Sequence, residues 1–188
     1  MFSKRSVAAE TSIPLGAVEG VIALFLHDLI SPLTAISMGH ELLKSGETEM
    51  LSVVSKATEN MQAKTSFLRT LVTSNAPLSH KTFEELSTQY LKSHHDALFF
   101  CDKPSTPLTS LQYQSLMMVM VWILKNKGFV QELHIDLSSN KATLRAVAKN
   151  VAKKENEHLN RFLKTYLEKT GGTLVPSKHS STIWELVF

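Results

Sequence analysis

The stretch FLHDLISPLTAI, residues 25–36, sets a histidine and an aspartate into an apolar run. A neutral imidazole nitrogen is a nucleophile, and a neighbouring carboxylate can orient the ring through its other nitrogen. His27 and Asp28 are therefore a candidate catalytic pair, with Asp28 expected to hold the imidazole. Pro32 removes a backbone donor, and its ring clashes with the turn at residue 28, so the helix should kink one turn past His27. Such a kink costs about 3 kcal/mol and calls for a compensating use or a special packing context. At roughly 100° per residue, Phe25 and Leu29 lie on the far side of the helix from His27. Gly16, Gly20, Ala23, Ser31, Thr34, Met38 and Glu41 lie near its own azimuth. That face is small and polar around the imidazole, so another protein can approach it. The plain alternative is a surface histidine without a task.

The elements that must position this face are legible from periodicity. Leu15 to about Ser45 reads as one helix, some 45 Å long at about 1.5 Å per residue, stopped by Gly46. A second helix begins near Glu47 and Glu49, whose charge suits its dipole, and runs to about Ser74, before Pro77. Val18, Ile22, Phe25, Leu29, Leu33, Ile36 and Leu43 form the expected seam of the first helix. Met50, Val54, Ala57, Met61, Leu68 and Leu71 form that of the second. Val21, Leu24, Ile30, Leu42, Leu51, Val53 and Val72 widen the apolar surface beyond what two helices can bury. A dimer forming a four-helix bundle is the simplest solution.

After Pro77 the pattern changes. KTFEELSTQYLKSHH reads as a helix, ALFFC as a short strand and LQYQSLMMVMVWILKNKG as a buried helix. ELHIDLSS and KATLRAVA read as strands flanking Ser139 and Asn140. NEHLNRFLKTYLEKTGG is a helix ended by its glycines, and TLVPSKHSSTIWELVF a terminal hairpin. The fold class expected is α+β: an N-terminal helical hairpin over residues 1–76, then an α/β sandwich over 77–188 with a mostly antiparallel sheet covered on one face.

Composition sets outer bounds. The chain has 188 residues, 43% hydrophobic and 20% charged, which suits a protein with a substantial core. A net charge of +3 is too weak to argue for nucleic acid. The basic residues Lys141, Arg145, Lys149, Lys153 and Lys154 read as a solvated face, with a weak steering patch as the alternative. One cysteine, Cys101, permits no disulfide within the chain and fits a reducing cytosol; its apolar neighbours suggest an inert thiol. No Cys/His group has zinc spacing, so no metal site is expected. Lys4 and Arg5 before IPLGAVEGVIALFL have the outline of a signal segment. Glu19 interrupts that run, which is also shorter than the roughly 20 apolar residues of a spanning helix. A cytoplasmic protein without membrane attachment is the expectation.

The pattern H-D-x-x-S-P-L-T-A-I resembles the H-box of two-component histidine kinases. HDLISP in particular resembles the ChpT-type histidine phosphotransferases of alphaproteobacteria. The layout of most of the chain agrees: QSLMMVMVWILKNKG followed by LHIDL is similar to the helix and strand around a kinase N-box, and the C-terminal helix and hairpin to the end of a kinase ATP-binding domain. The resemblance implies a homodimer in which His27 carries a phosphoryl group. It implies partners in the receiver domain of a hybrid sensor kinase and in response regulators, with Mg²⁺ held by the receiver.

The parts that would hold ATP are missing. Where a kinase N-box has asparagines stand Met118 to Leu124, with Asn126 a lone candidate. There is no D-x-G-x-G stretch and no glycine-rich lid. The second region thus resembles a degenerate kinase ATPase domain, with no cofactor of its own and no ATP. The function expected is phosphoryl relay between receiver aspartates through His27. A non-catalytic dimeric scaffold and a small active kinase with an unusual nucleotide site are the alternatives. The hairpin turn near Gly46 places residues 64–70 opposite His27. Lys64 and Arg69 are candidates for neutralising the phosphoryl group or contacting a receiver, against ordinary surface charge. Phe67 is a candidate docking contact, against core or dimer packing. Ser31, Pro32 and Thr34 complete the expected supporting set.

Overall fold

The computed structural model describes residues 15–72, 77–94, 96–138, 140–149, 156–177, 180 and 182–188, and side chains of the first helix from Ile22 on, residue 24 apart. Expectations for Lys4, Arg5, Ser139, Lys153 and Lys154 fall outside these residues, as do side-chain readings for Val18 and Val21.

Helix α1 spans Leu15–Lys44 and α2 spans Met50–Val72. Gly46 ends the first at φ 98°, a left-handed conformation open to glycine, and Glu47 N–H reaches back to the Leu42 carbonyl at 3.1 Å. The two helices pack along their length. A Cβ at Gly39 would overlap Cγ2 of Val54, so the glycine is what lets α2 approach α1 there.

Helix α3 (His80–Lys92) starts at Ser79, whose hydroxyl accepts from Thr82 N–H at 3.1 Å. Strand β1 (Leu98–Cys101) follows, then α4 (Ser110–Asn126). Thr109 and Gln112 form a reciprocal capping box at the start of α4. Strands β2 (Phe129–Leu137) and β3 (Lys141–Lys149) form a hairpin. Helix α5 (Glu157–Thr170) is capped by Asn156 and ended by Gly171 at φ 77°. Strands β4 (Thr173–Pro176) and β5 (Ile183–Val187) close the chain.

The sheet order is β1-β2-β3-β5-β4, parallel only between β1 and β2. Period-two alternation sends Leu133, Ile135, Ala142, Leu144, Ala146, Trp184 and Leu186 into the core. Helix α4 is buried against them along nearly all its length, Tyr113 to Leu124, apart from half-buried Trp122. This is the expected α+β fold. The basic residues of β3 share the opposite face of the sheet, where Lys141 pairs with Glu185 at 3.2 Å. Among the described residues no helix is long and apolar enough to cross a membrane, and no cluster of acidic, His or Cys side chains could hold a metal ion.

The hairpin is joined to this layer rather than standing apart from it. Helix α1 packs against α5, and α2 against α3 and α4. Phe67 on α2 is fully buried and stacks on Tyr90 of α3, ring centroids 3.9 Å apart.

Candidate functional site

His27 lies on the exposed face of α1. Ser31 and Thr34 are exposed on the same helix, and the Thr34 hydroxyl donates to the Ile30 carbonyl at 2.9 Å. Pro32 is buried, turned toward the hairpin interior. The imidazole thus stands in solvent one turn before the proline.

Asp28 differs from expectation. It is buried, and its carboxylate is paired with Lys125 in the last turn of α4. Its Oδ2 faces His94 Nε2 at 3.9 Å. The reason is helical geometry: consecutive residues point about 100° apart, so with His27 outward Asp28 turns toward the layer below. It is a tie between α1 and α4, not the partner of the His27 ring.

Lys64 lies at the level the hairpin arithmetic places it, yet it too points inward. It is buried, and its ammonium donates to the Asp28 carbonyl at 3.3 Å. In a regular helix that carbonyl would accept from the N–H of residue 32, which proline lacks. Lys64 therefore satisfies the acceptor that Pro32 leaves over. Burial lowers the pKa of this ammonium; the charge of Asp28 opposes that and the charge of Lys125 adds to it. Its ammonium is engaged with the backbone, so phosphoryl neutralisation is not its role in this arrangement. Arg69 is exposed on α2. Phe67, as core packing against Tyr90, is not available for docking.

The cluster also includes Tyr90, buried beside Asp28 and edge-on to His94 at 4.7 Å between centroids. Burial first, and then the Asp28 charge, push its phenol above the ordinary range. Sequence reasoning missed Tyr90, His94 and Lys125. Lys125 carried a signal: a cation closing an otherwise apolar helix must find either solvent or an acid.

Asn126, the lone N-box candidate, is a helix-end residue. It is buried, donates to the Trp122 carbonyl at 3.1 Å and accepts from Asn156 N–H at 2.9 Å, tying α4 to the start of α5. Burial raises the Cys101 thiol to about 12, with Glu84, Asp102 and Asp136 adding to it, so the thiol is held protonated.

The architecture has a solved counterpart. The chain resembles a structure described as a bacterial phosphotransferase, with a TM-score of 0.70 over 97% of each chain at 12% identity. The two chains share their fold. Two weaker likenesses are the Erythrobacter litoralis EL346 blue-light activated histidine kinase and the cytoplasmic segment of histidine kinase QseC. The first covers 81% of this chain and 61% of that one at 10% identity, the second 74% and 92% at 8%, each with a TM-score of 0.39. No protein-family model matches the chain, and no curated protein does.

Proposed function

We propose that this protein is a ChpT-type histidine phosphotransferase that relays a phosphoryl group between receiver-domain aspartates through His27. The observation that carries the reading is an exposed histidine one turn before a buried proline, on the long helix of a fold shared with a phosphotransferase. A lone pair on an imidazole nitrogen attacks phosphorus in line. The N–P bond forms, the P–O bond to the receiver's carboxylate breaks, and the carboxylate keeps the electron pair. A proton leaving the other ring nitrogen passes to the water around the exposed ring. The return step is the same displacement in reverse. Mg²⁺ held by the receiver neutralises the phosphoryl oxygens, so this chain supplies mainly position.

Residues 1–76 serve as the phospho-accepting hairpin and 77–188 as a kinase-ATPase-like region that has given up ATP. Two copies meet through the hairpin. Ile22, Leu26, Ile30 and Leu33 support this, because they form an apolar strip along α1 and are 50–57% exposed in the single chain. Ser31, Thr34 and Arg69 surround the approach of a receiver drawn from a hybrid sensor kinase or a response regulator.

The test supplies receiver domains from the source genome, charged with radiolabelled acetyl phosphate, and follows label into this protein. Label on wild type should be acid-labile and base-stable. His27→Gln should lose it completely with no change in thermal midpoint, since the ring is exposed. Equal label in His27→Gln refutes the reading. Label from ATP alone would instead make the protein a kinase.

A further inference from the structure

Three elements converge on the residue that follows His27. Lys125 of α4 holds the Asp28 carboxylate, and His94 after α3 faces its other oxygen. Lys64 of α2 holds its carbonyl. We infer that Lys64 and Lys125 are positioning residues: through Asp28 they fix the direction in which His27 is presented, with the α/β region as the reference frame. The inference rests on His27 being the phosphoryl acceptor.

The need for such a clamp comes from Pro32. A proline-interrupted turn lacks one of the hydrogen bonds that keep a helix straight, so the segment before it can pivot. Both cations act on the inner side of that turn. Because Asp28 and His27 are consecutive on one helix, fixing the azimuth of the first fixes that of the second. Lys64 supplies the missing backbone partner from within the hairpin. Lys125 reaches across from α4, so the hairpin cannot rotate without breaking an ion pair that is largely shielded from water, its two side chains 14% and 8% exposed. A receiver that touches both the hairpin and the α/β region would then meet His27 in one place. In-line displacement is sensitive to such placement: an error of about 1 Å can cost on the order of 100-fold.

A buried ion pair can be replaced by apolar residues with little loss of stability, whereas breaking it on one side is costly. That separates positioning from folding. The variant Asp28→Leu/Lys125→Met should therefore keep a thermal midpoint near wild type. Phosphoramidate, a small donor that needs no docking, should label its His27 at the wild-type rate. Transfer from a charged receiver should fall at least about tenfold in maximal rate, with the half-saturating receiver concentration changed much less. Lys125→Arg, which keeps the ion pair, should recover most of the transfer. Lys64→Met should lower the maximal rate in the same direction.

A double variant that is folded and transfers at the wild-type maximal rate overturns the inference while leaving His27 as the acceptor. If it unfolds, Lys125→Arg against Lys125→Met decides: equal maximal rates overturn positioning, and a loss confined to Met supports it. Wild type that takes no label from any receiver removes the relay reading and this inference with it.

Discussion

The two regions of the chain treat their large apolar side chains differently. In the α/β region Phe83, Tyr90, Leu116, Met117, Met120, Ile123, Leu133 and Ile135 are almost completely shielded. On the hairpin Ile22, Leu26, Ile30, Leu33, Met38, Leu51 and Val53 stay in solvent. One region has closed its core within the single chain; the other has closed only the side that faces it. An apolar strip that a fold leaves open is a surface for a partner, and a closed core is a frame for holding one in register. In the relay proposed above, the hairpin would carry the chemistry and the contacts, and the α/β region the rigidity.

The boundary between the two is where that contrast is easiest to break. Phe67 belongs to the hairpin by sequence but is buried with the α/β core. Phe67→Ala removes a stacked, fully buried ring and should cost about 3–5 kcal/mol, read from the denaturant midpoint at constant slope. A loss under about 1 kcal/mol would mean that the hairpin is only loosely seated and that the two regions unfold separately.

Alkaline pH tests the closed core. The thiol of Cys101 ionises near 9.0 in an ordinary setting and is held up to about 12. Tyr90, Tyr113 and Tyr166 are likewise raised from 10.0, by burial in each case. Between the unfolded and folded values of each group the native chain holds a proton that the unfolded chain has released, so stability falls as pH rises. Each group contributes up to about 1.4 kcal/mol per pH unit. Lys64 acts in the other direction: its lowered pKa means the unfolded chain holds the extra proton up to 10.5. Up to about pH 10 Lys64 opposes Cys101 alone; above it the three phenols join the thiol and leave a net loss. Tyrosinate absorbance should appear together with loss of helix, not before it. Cys101→Ala should leave Lys64 unopposed, so that stability is level or rises until about pH 10, where phenols begin to ionise. Tyrosinate forming in folded protein would show the core to be open to solvent.

Much of this was readable in advance, for reasons that particular residues show. Both glycine stops, Gly46 and Gly171, acted through local backbone conformation, which a short window contains. The strands around residues 138–140 alternate with period two, so their hairpin was visible as well. The parallel pairing of β1 with β2 was not, because it joins Leu98 to Glu132 across an intervening helix. Position 64 was reachable by counting from the turn. Its role was not, because Lys64 serves a carbonyl rather than a side chain. Asp28 was misjudged by treating sequence neighbours as facing neighbours. Its true partner, Lys125, is 97 positions away, and no local pattern records that distance.

Within the hairpin, Gly39 sharpens the comparison at smaller cost. Gly39→Ala puts a methyl group against Val54 and should destabilise by about 1–3 kcal/mol, measured by chemical denaturation. Val54→Ala in the same background removes the opposing methyls. The pair should therefore be better tolerated than the sum of the single changes. Strict additivity would mean that the close approach is absent in solution.

The smallest effect on the folded chain separates the regions most directly. Leu26 and Ile30 are 57% exposed, so Leu26→Ser/Ile30→Ser removes little burial within one copy. At high dilution its stability should match wild type within about 0.5 kcal/mol per site. At higher concentration the two proteins should part: wild type sedimenting as a dimer that is stabilised by mass action, the variant as a monomer whose midpoint does not move with concentration. If both sediment alike, the strip is not where copies of this chain meet, and docking of the proposed receiver is the next role to test. Transfer kinetics then discriminate: loss of a docking strip raises the half-saturating receiver concentration while leaving the step at His27 intact.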